Sequence, residues 1–280
     1  MIVSFHPRLA ADANFRLPGS QVLSAATRQS LGQAQAVLLP VSVTAPLYRA
    51  CLGLCPTVFP NYQWRFGWEG KSGASVLFEH LGLPHPRTLR YHSVAEFRCQ
   101  FLEGGEPLSY PFVLKGDRGG GGNWVFLIRH LADLALPLAR IEQAGWPLVA
   151  QEYVDHGGRD ARVVVMGDRL HGYWRRQTVA GEFRNNICRG AFIDHDSEPL
   201  LLRAAEEAVR AVCRRTGLDL AAFDIFFGPE ETPLFCEINY FFGHKGLTVA
   251  GRYYHLLAGA AQEWLARRGV EGRIRPLMPD

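Results

Sequence analysis

The 280-residue sequence predicts an α+β protein, with a small α/β lobe over residues 1–70 and a larger α+β region over 71–280. Three observations carry that prediction. Four consecutive glycines, 119–122, stand between two apolar runs, 112–114 and 124–128. A Gly167-Asp168 pair splits a second apolar stretch, which is the strongest short-range hairpin signal. Two late apolar runs, 220–228 and 232–242, carry acids placed symmetrically about the turn between them.

Residues 1–70 alternate short apolar runs, such as AVLLPVSV at 36–43, with proline and glycine punctuation, as short strands and helices do. From Lys71 the apolar spacing predicts an amphipathic helix stopped by Gly82. Ser93 and Glu96 then form a capping box that opens a helix through Phe97 and Phe101. The glycine run comes next. Its flanks read as buried strands, unlike the polar flanks of a linker. A backbone without Cβ atoms can turn several N–H groups toward one anion, and Lys115 at its base adds a positive charge. Taken alone, the stretch reads equally as a mobile hairpin tip. A helix over 130–144 interrupted at Pro137, a strand over 147–154 and a hairpin around Gly167-Asp168 follow. A helix over 197–215 has Ser197 as its N-cap and Gly217 as its stop.

The loop 228–233 joins the last two strands, and Asp224 and Glu237 are equidistant from its centre. A symmetric hairpin sets them opposite each other, and the two-residue strand period puts Asn239 on the face of Glu237. Oxygen-bearing groups on strands otherwise rich in Phe, Ile and Leu call for a cation, and Mg²⁺ suits such a set. The alternative is that one or both acids face solvent or pair with arginines.

A net charge of +3, with 48% apolar and 20% charged residues, argues against a general nucleic-acid or membrane-surface binder but leaves room for a local anion site. No apolar run approaches the roughly 18 residues of a membrane helix. The first residues lack the charged head and continuous apolar segment of a secretory signal, so cytoplasmic residence is expected. Six scattered cysteines read as reduced thiols. GWEGKSG fails as a P-loop because Arg65 stands where the first glycine belongs, and no HExxH or GxSxG motif occurs.

A lysine strand, a glycine hairpin, QEYV at 151–154 and a D…ExN hairpin, in this order, resemble the ATP-grasp superfamily, and within it the RimK-like carboxylate–amine ligases, over about 71–250. The resemblance implies an ATP-grasp domain over 71–280, divided into a lid subdomain (71–152) and a metal and catalytic subdomain (153–280), with 1–70 as a pre-ATP-grasp lobe. It implies that Lys71 and Lys115 hold ATP phosphates and that Gly120, Gly121 and Gly122 close over them. Glu152, Tyr153 and Val154 would border the adenine, Asp160 would approach the ribose, and Asn186 would lie beside the triphosphate. Arg176 and Arg189 match basic residues that flank the reacting centre, while Arg175 and Arg184 match less well.

By the same resemblance Asp224, Glu237 and Asn239 hold two Mg²⁺ ions, or Mn²⁺. The implied reaction forms an acyl phosphate and then an amide, with an amino acid or a peptide or protein terminus as one substrate, and is compatible with a homo-oligomer. One departure stands out. EINYFFGHKG replaces the proline-glycine turn that often follows the family's metal residues, leaving His244 and Lys245 as acceptor-binding groups or as plain loop residues. A non-catalytic ATP-binding scaffold or sensor, and an enzyme that phosphorylates or carboxylates a small molecule, are the other readings.

Overall fold

The N-terminal segment contains β1 (Ile2–Ser4), β2 (Leu9–Ala10), β3 (Ala13–Asn14), α1 (Ala25–Gly32), β4 (Ala36–Leu38), α2 (Ala45–Leu54) and β5 (Val58–Phe59). This computed structural model describes residues 1–19, 22–105, 108–228, 230–247 and 252–277. Ile2, Val3, Ala36, Val37 and Leu38 are all buried, as strands covered on both faces must be. They belong to a parallel sheet in the order β3-β1-β4-β5. The lobe has no separate interior, because Val3, Val37 and Leu47 share one apolar cluster with Val163, Val209 and Phe223.

Asp219 lies buried at this seam, where its Oδ1 accepts the Asn61 N–H at 2.6 Å. Burial pushes its carboxyl from the ordinary 3.8 up to about 7. A carboxyl raised in the native state binds its proton more tightly there than in the unfolded chain. Its stabilising contribution is therefore complete below about pH 4 and lost as pH rises through about 7. Asp219→Asn removes this dependence, so the variant should gain stability relative to wild type between pH 5 and pH 8. Urea midpoints at the two pH values measure the gain, and an equal difference at both would remove Asp219 as the titrating group.

The middle of the chain contains α3 (Gly70–His80), β6 (Thr88–Tyr91), α4 (Val94–Phe97), β7 (Phe112–Gly116), β8 (Val125–Ile128), α5 (Ala135–Ala144) and β9 (Leu148–Glu152). The four strands form an antiparallel sheet in the order β6-β9-β7-β8, packed on Phe97, Phe101, Leu138 and Ile141. Two local expectations change. Ser93 Oγ accepts the Glu96 N–H at 3.1 Å, but Glu96 reaches back to the N–H of His92 at 2.6 Å, one residue short of a capping box. Pro137 does not interrupt its helix. It sits in the first turn of α5, where a helix leaves its N–H groups without intrahelical partners.

The remainder contains β10 (Arg159–Met166), β11 (Arg169–Arg176), β12 (Phe192–Asp194), α6 (Pro199–Thr216), β13 (Leu220–Phe227), β14 (Pro233–Asn239), α7 (Tyr253–Ala266) and β15 (Arg275–Pro276). An antiparallel sheet runs β12-β11-β10-β13-β14. Gly167, at φ +61°, makes the two-residue turn that joins β10 to β11. The β13–β14 turn includes residue 229, outside the described residues. Ser197 does not cap α6. The helix starts at Pro199 behind Glu198 at φ 47°, whose carboxylate binds Arg159 at 2.8 Å and Arg176 at 2.6 Å. Gly217, at φ 70°, ends it as expected. Finally β15 pairs with β2, returning the chain to the first lobe. Among the described residues no helix is long and apolar enough to cross a membrane.

Candidate active site

The antiparallel pairing of β7 with β9 sets Val113 opposite Gln151 and Lys115 opposite Val149, so Val113, Lys115 and Gln151 share a face. Lys115 is only 8% exposed. Its Nζ donates to Gln151 Oε1 at 2.6 Å and approaches Cys236 Sγ at 3.8 Å. Among the described residues it has no ion-pair partner, although buried charge is costly without one. Burial also pushes the Cys236 thiol up to about 12, so the sulfur stays neutral and supplies no counter-charge. A buried ammonium that forms no ion pair among the described residues, at the root of a glycine loop, suits an anion. Val113, Val125, Phe183 and Phe226 give this slot apolar walls, and Glu152, Tyr153 and Val154 form its rim. Asp160 and Asn186 also line it.

β7 and β8 pair up to Lys115 opposite Val125, and the glycines form the connection. Gly119, Gly121 and Gly122 take φ of +90°, +65° and +70°, a region that penalises any Cβ. At Gly122 a Cβ would also stand 2.6 Å from Asn186 Oδ1. The loop is held by cations from two sides. Lys71 Nζ donates to Gly119 O at 3.3 Å, Arg189 Nε to Gly121 O at 3.0 Å, and Arg184 Nη1 to Gly122 O at 2.9 Å. Arg189 Nη2 adds a bond to Asn123 Oδ1 at 2.7 Å. Burial lowers the Lys71 pKa; Glu237 opposes that shift and Lys115 adds to it.

Beneath the loop opens a cleft of about 370 Å³, continuous with the slot through Val125, Arg175, Asn186 and Glu237. Where slot and cleft meet lies a ladder of charges. Asp160 faces Arg175 across β10–β11, and Arg162 faces Asp224 across β10–β13. Arg175 binds Asp160 through bonds of 2.7 and 2.5 Å and reaches Asp224 at 3.1 Å. Arg162 grips Asp224 with bonds of 2.8 and 2.9 Å. Burial alone would raise Asp224, but Arg162 and Arg175 hold its carboxylate below the usual range.

Asp224 and Glu237 are direct cross-strand partners, as the symmetric hairpin requires, and a β-bulge follows Asp224. Asn239 lies on the same side and donates from Nδ2 to Asp224 Oδ2 at 3.3 Å. Glu237 has no hydrogen-bond or ion-pair partner among the described residues, and it lines the cleft beside Asn239 and Lys71. These oxygens suit a hard divalent cation through Glu237 and Asn239, while Asp224, already bonded to Arg162 and Arg175, has its spare acceptor capacity on Oδ1. Among the described residues no three His, Cys, Asp or Glu side chains already gather as a metal cage.

Of the sequence-predicted residues, Arg189 holds the glycine loop without lining the slot or the cleft, and Arg176 is not brought here at all. Successive strand residues face opposite ways, so Arg176 turns outward to Asp194 and Glu198, at 2.6 Å each. Arg175 occupies the cleft instead. Arg162, absent from the sequence-based set, lines the cleft too, and Arg184 latches the loop. His244 stacks on Tyr253 with ring centres 3.5 Å apart, whereas Lys245 lines the cleft.

A family model for the RimK-like ATP-grasp domain matches residues 74–252. Beta-citrylglutamate synthase B of Danio rerio is 36% identical over 162 residues, 56% of this chain and 38% of that protein. N-acetylaspartylglutamate synthase A of Homo sapiens is 30% identical over 162 residues, 56% and 39% of the two chains. This chain therefore spans less than half the length of either relative in their alignments. In overall fold it is similar to the D-alanine–D-alanine ligase from Bacillus anthracis, with a TM-score of 0.61 at 14% identity over 91% of this chain and 86% of that one. With the family match covering well over half of its residues, the chain belongs to the RimK-like ATP-grasp family.

Proposed function

We propose that the protein is an ATP- and Mg²⁺-dependent carboxylate–amine ligase, cytoplasmic, with a lid over 71–152 and a metal and catalytic subdomain over 153–280. The observation that carries this reading is Lys115, a buried cation with no ion-pair partner among the described residues, set between an apolar slot and a glycine loop. The slot suits a purine, with Glu152, Tyr153 and Val154 at its edge and Asp160 near the ribose. Lys71, Lys115, Asn186 and the loop N–H groups of Gly120–Gly122 hold the phosphates. Glu237, Asn239 and Asp224 would hold two Mg²⁺ ions, which supply charge neutralisation during phosphoryl transfer.

A substrate carboxylate oxygen attacks the γ-phosphorus and ADP leaves, giving an acyl phosphate. An amine nitrogen then attacks the acyl carbon, inorganic phosphate leaves, and the nitrogen loses a proton. Arg175 and Arg162 border the region where negative charge builds up, and Arg189 holds the glycine loop that covers it. An amino acid or a peptide or protein terminus is the substrate class.

Thermal melts test the nucleotide site. Mg·ATP at about 100 times its Kd should stabilise the native state by roughly 2.7 kcal/mol, a shift on the order of 5 °C. Lys115→Ala should abolish most of that shift. No shift, or an equal one in the variant, overturns the site.

A second reading, a non-catalytic ATP-binding scaffold or sensor, draws support from Asp224, whose oxygens are already bonded to Arg162 and Arg175. Hydroxylamine, which converts an acyl phosphate to a hydroxamate, separates the two: product supports the ligase, and nucleotide binding without product supports the scaffold.

A further inference from the structure

The cleft beneath the glycine loop is lined by cations and by apolar groups together. Arg162, Arg175 and Lys245 line it, and Lys245 has no ion-pair partner among the described residues. Phe241, Phe242, Ile187 and Ile193 line it too, Ile193 as the cross-strand partner of Arg175. Phe241 is 64% exposed, an unusual state for a large ring that borders a concave site.

The segment carrying these rings is fixed in place. Tyr173 packs its ring directly against the backbone of Gly246, where a Cβ would collide with it. His244 stacks on Tyr253 at an interplanar angle of 3°, and Phe242 meets Tyr253 edge-on at 79°. On the other side the Arg65 guanidinium lies 5.2 Å from the Phe241 ring. Phe241 is thus a positioned wall with one face left open, and an apolar wall that stays wet without a ligand gains most from covering by another apolar group.

We infer that the carboxylate substrate carries an aromatic or bulky apolar body, with its carboxylate toward Arg162, Arg175 and Lys245 and its body on Phe241, Phe242 and Ile193. This deepens the ligase reading and rests on it for the identity of the reacting group. A substrate with a second carboxylate in place of the apolar body would press that charge onto the Phe241 and Phe242 rings, which offer it no hydrogen bond in exchange for its lost hydration. The Phe241-Phe242 pair that stands in place of a proline-glycine turn is thus a specificity element.

The test uses 3-phenylpropanoate and glutarate, two short carboxylates that differ in having a ring or a second carboxylate at the far end. Each is titrated calorimetrically into the full chain with Mg·ADP present. 3-Phenylpropanoate is expected to bind at least about tenfold more tightly, in the range that apolar pocket contacts provide. Phe241→Ala should erase the preference, and Phe241→Leu should keep part of it, both with unchanged Mg·ADP affinity. Glutarate binding equally or more tightly, or a preference that survives Phe241→Ala, overturns the inference. Hydroxamate formation with ATP and hydroxylamine separates the two levels. Preferential binding of 3-phenylpropanoate without hydroxamate from either acid supports the specificity and sinks the ligase reading. Hydroxamate from glutarate but not from 3-phenylpropanoate does the reverse.

Discussion

Glu237→Ala is expected to lower ATP turnover by about 1000-fold or more while leaving the fold intact. Glu237 sits on β14 opposite Asp224 and has no hydrogen-bond or ion-pair partner among the described residues, so its removal breaks no direct bond and withdraws only the longer-range attraction that offsets the burial of Lys71. A substitution of that kind changes folding stability by about 0.5 kcal/mol or less. On the proposed reading its value lies in metal binding. Asp224 is held by two arginines, so Glu237 is the one carboxylate of the pair free to attract a divalent cation at first encounter. Without it the phosphates lose a charge-neutralising ion worth several kcal/mol in the transition state, and each 1.36 kcal/mol is a factor of ten. Turnover assays beside Mn²⁺ titrations measure both consequences. Wild-type turnover in the variant would remove the metal assignment, whereas lost turnover with unchanged Mn²⁺ affinity would give Glu237 a different role.

Local pattern carried much of this site. Apolar flanks marked the glycine run as a hairpin, and β7 and β8 pair as that requires. Symmetry about the 228–233 loop placed Asp224 opposite Glu237, and the bulge falls just beyond them, so it does not disturb that pairing. The choice between Arg175 and Arg176 went the other way, for a reason the sequence itself contains. A family match locates a segment but not the face on which a residue lies. The Gly167-Asp168 turn mirrors Asp160 onto Arg175, and acid opposite base marks the inward face. Arg162 was harder to find. Its partner Asp224 lies on β13, and nothing local says that β10 and β13 are neighbours. The shared core of the first lobe and the β15–β2 pairing are non-local in the same way. At Ser197 the propensity of serine for caps was overridden by Pro199 at the helix start and by two arginines holding Glu198.

Arg175→Met should cost about 3–5 kcal/mol of folding stability, the largest stability effect expected from a single change in the site. Arg175 is 5% exposed and holds Asp160 through two hydrogen bonds while reaching Asp224. Truncation leaves Asp160 buried without a counter-ion, and an orphaned buried charge accounts for losses of that size. Asp224 keeps Arg162, so most of the penalty belongs to Asp160. Two consequences follow that a simple packing defect would not produce. Asp160→Asn in the Arg175→Met background should recover a large part of the loss, since the buried group is then neutral. The deficit should also shrink on acidification. An unpaired buried Asp160 has its pKa raised in the variant's native state, so the variant holds that proton more tightly folded than unfolded and loses stability as pH rises above about 4. Urea denaturation at pH 4.5 and pH 8 for wild type and both variants measures all three terms. A deficit that is independent of pH and untouched by Asp160→Asn would make Arg175 a packing residue and dissolve the charge ladder as the element that sets the inward face of β10 and β11.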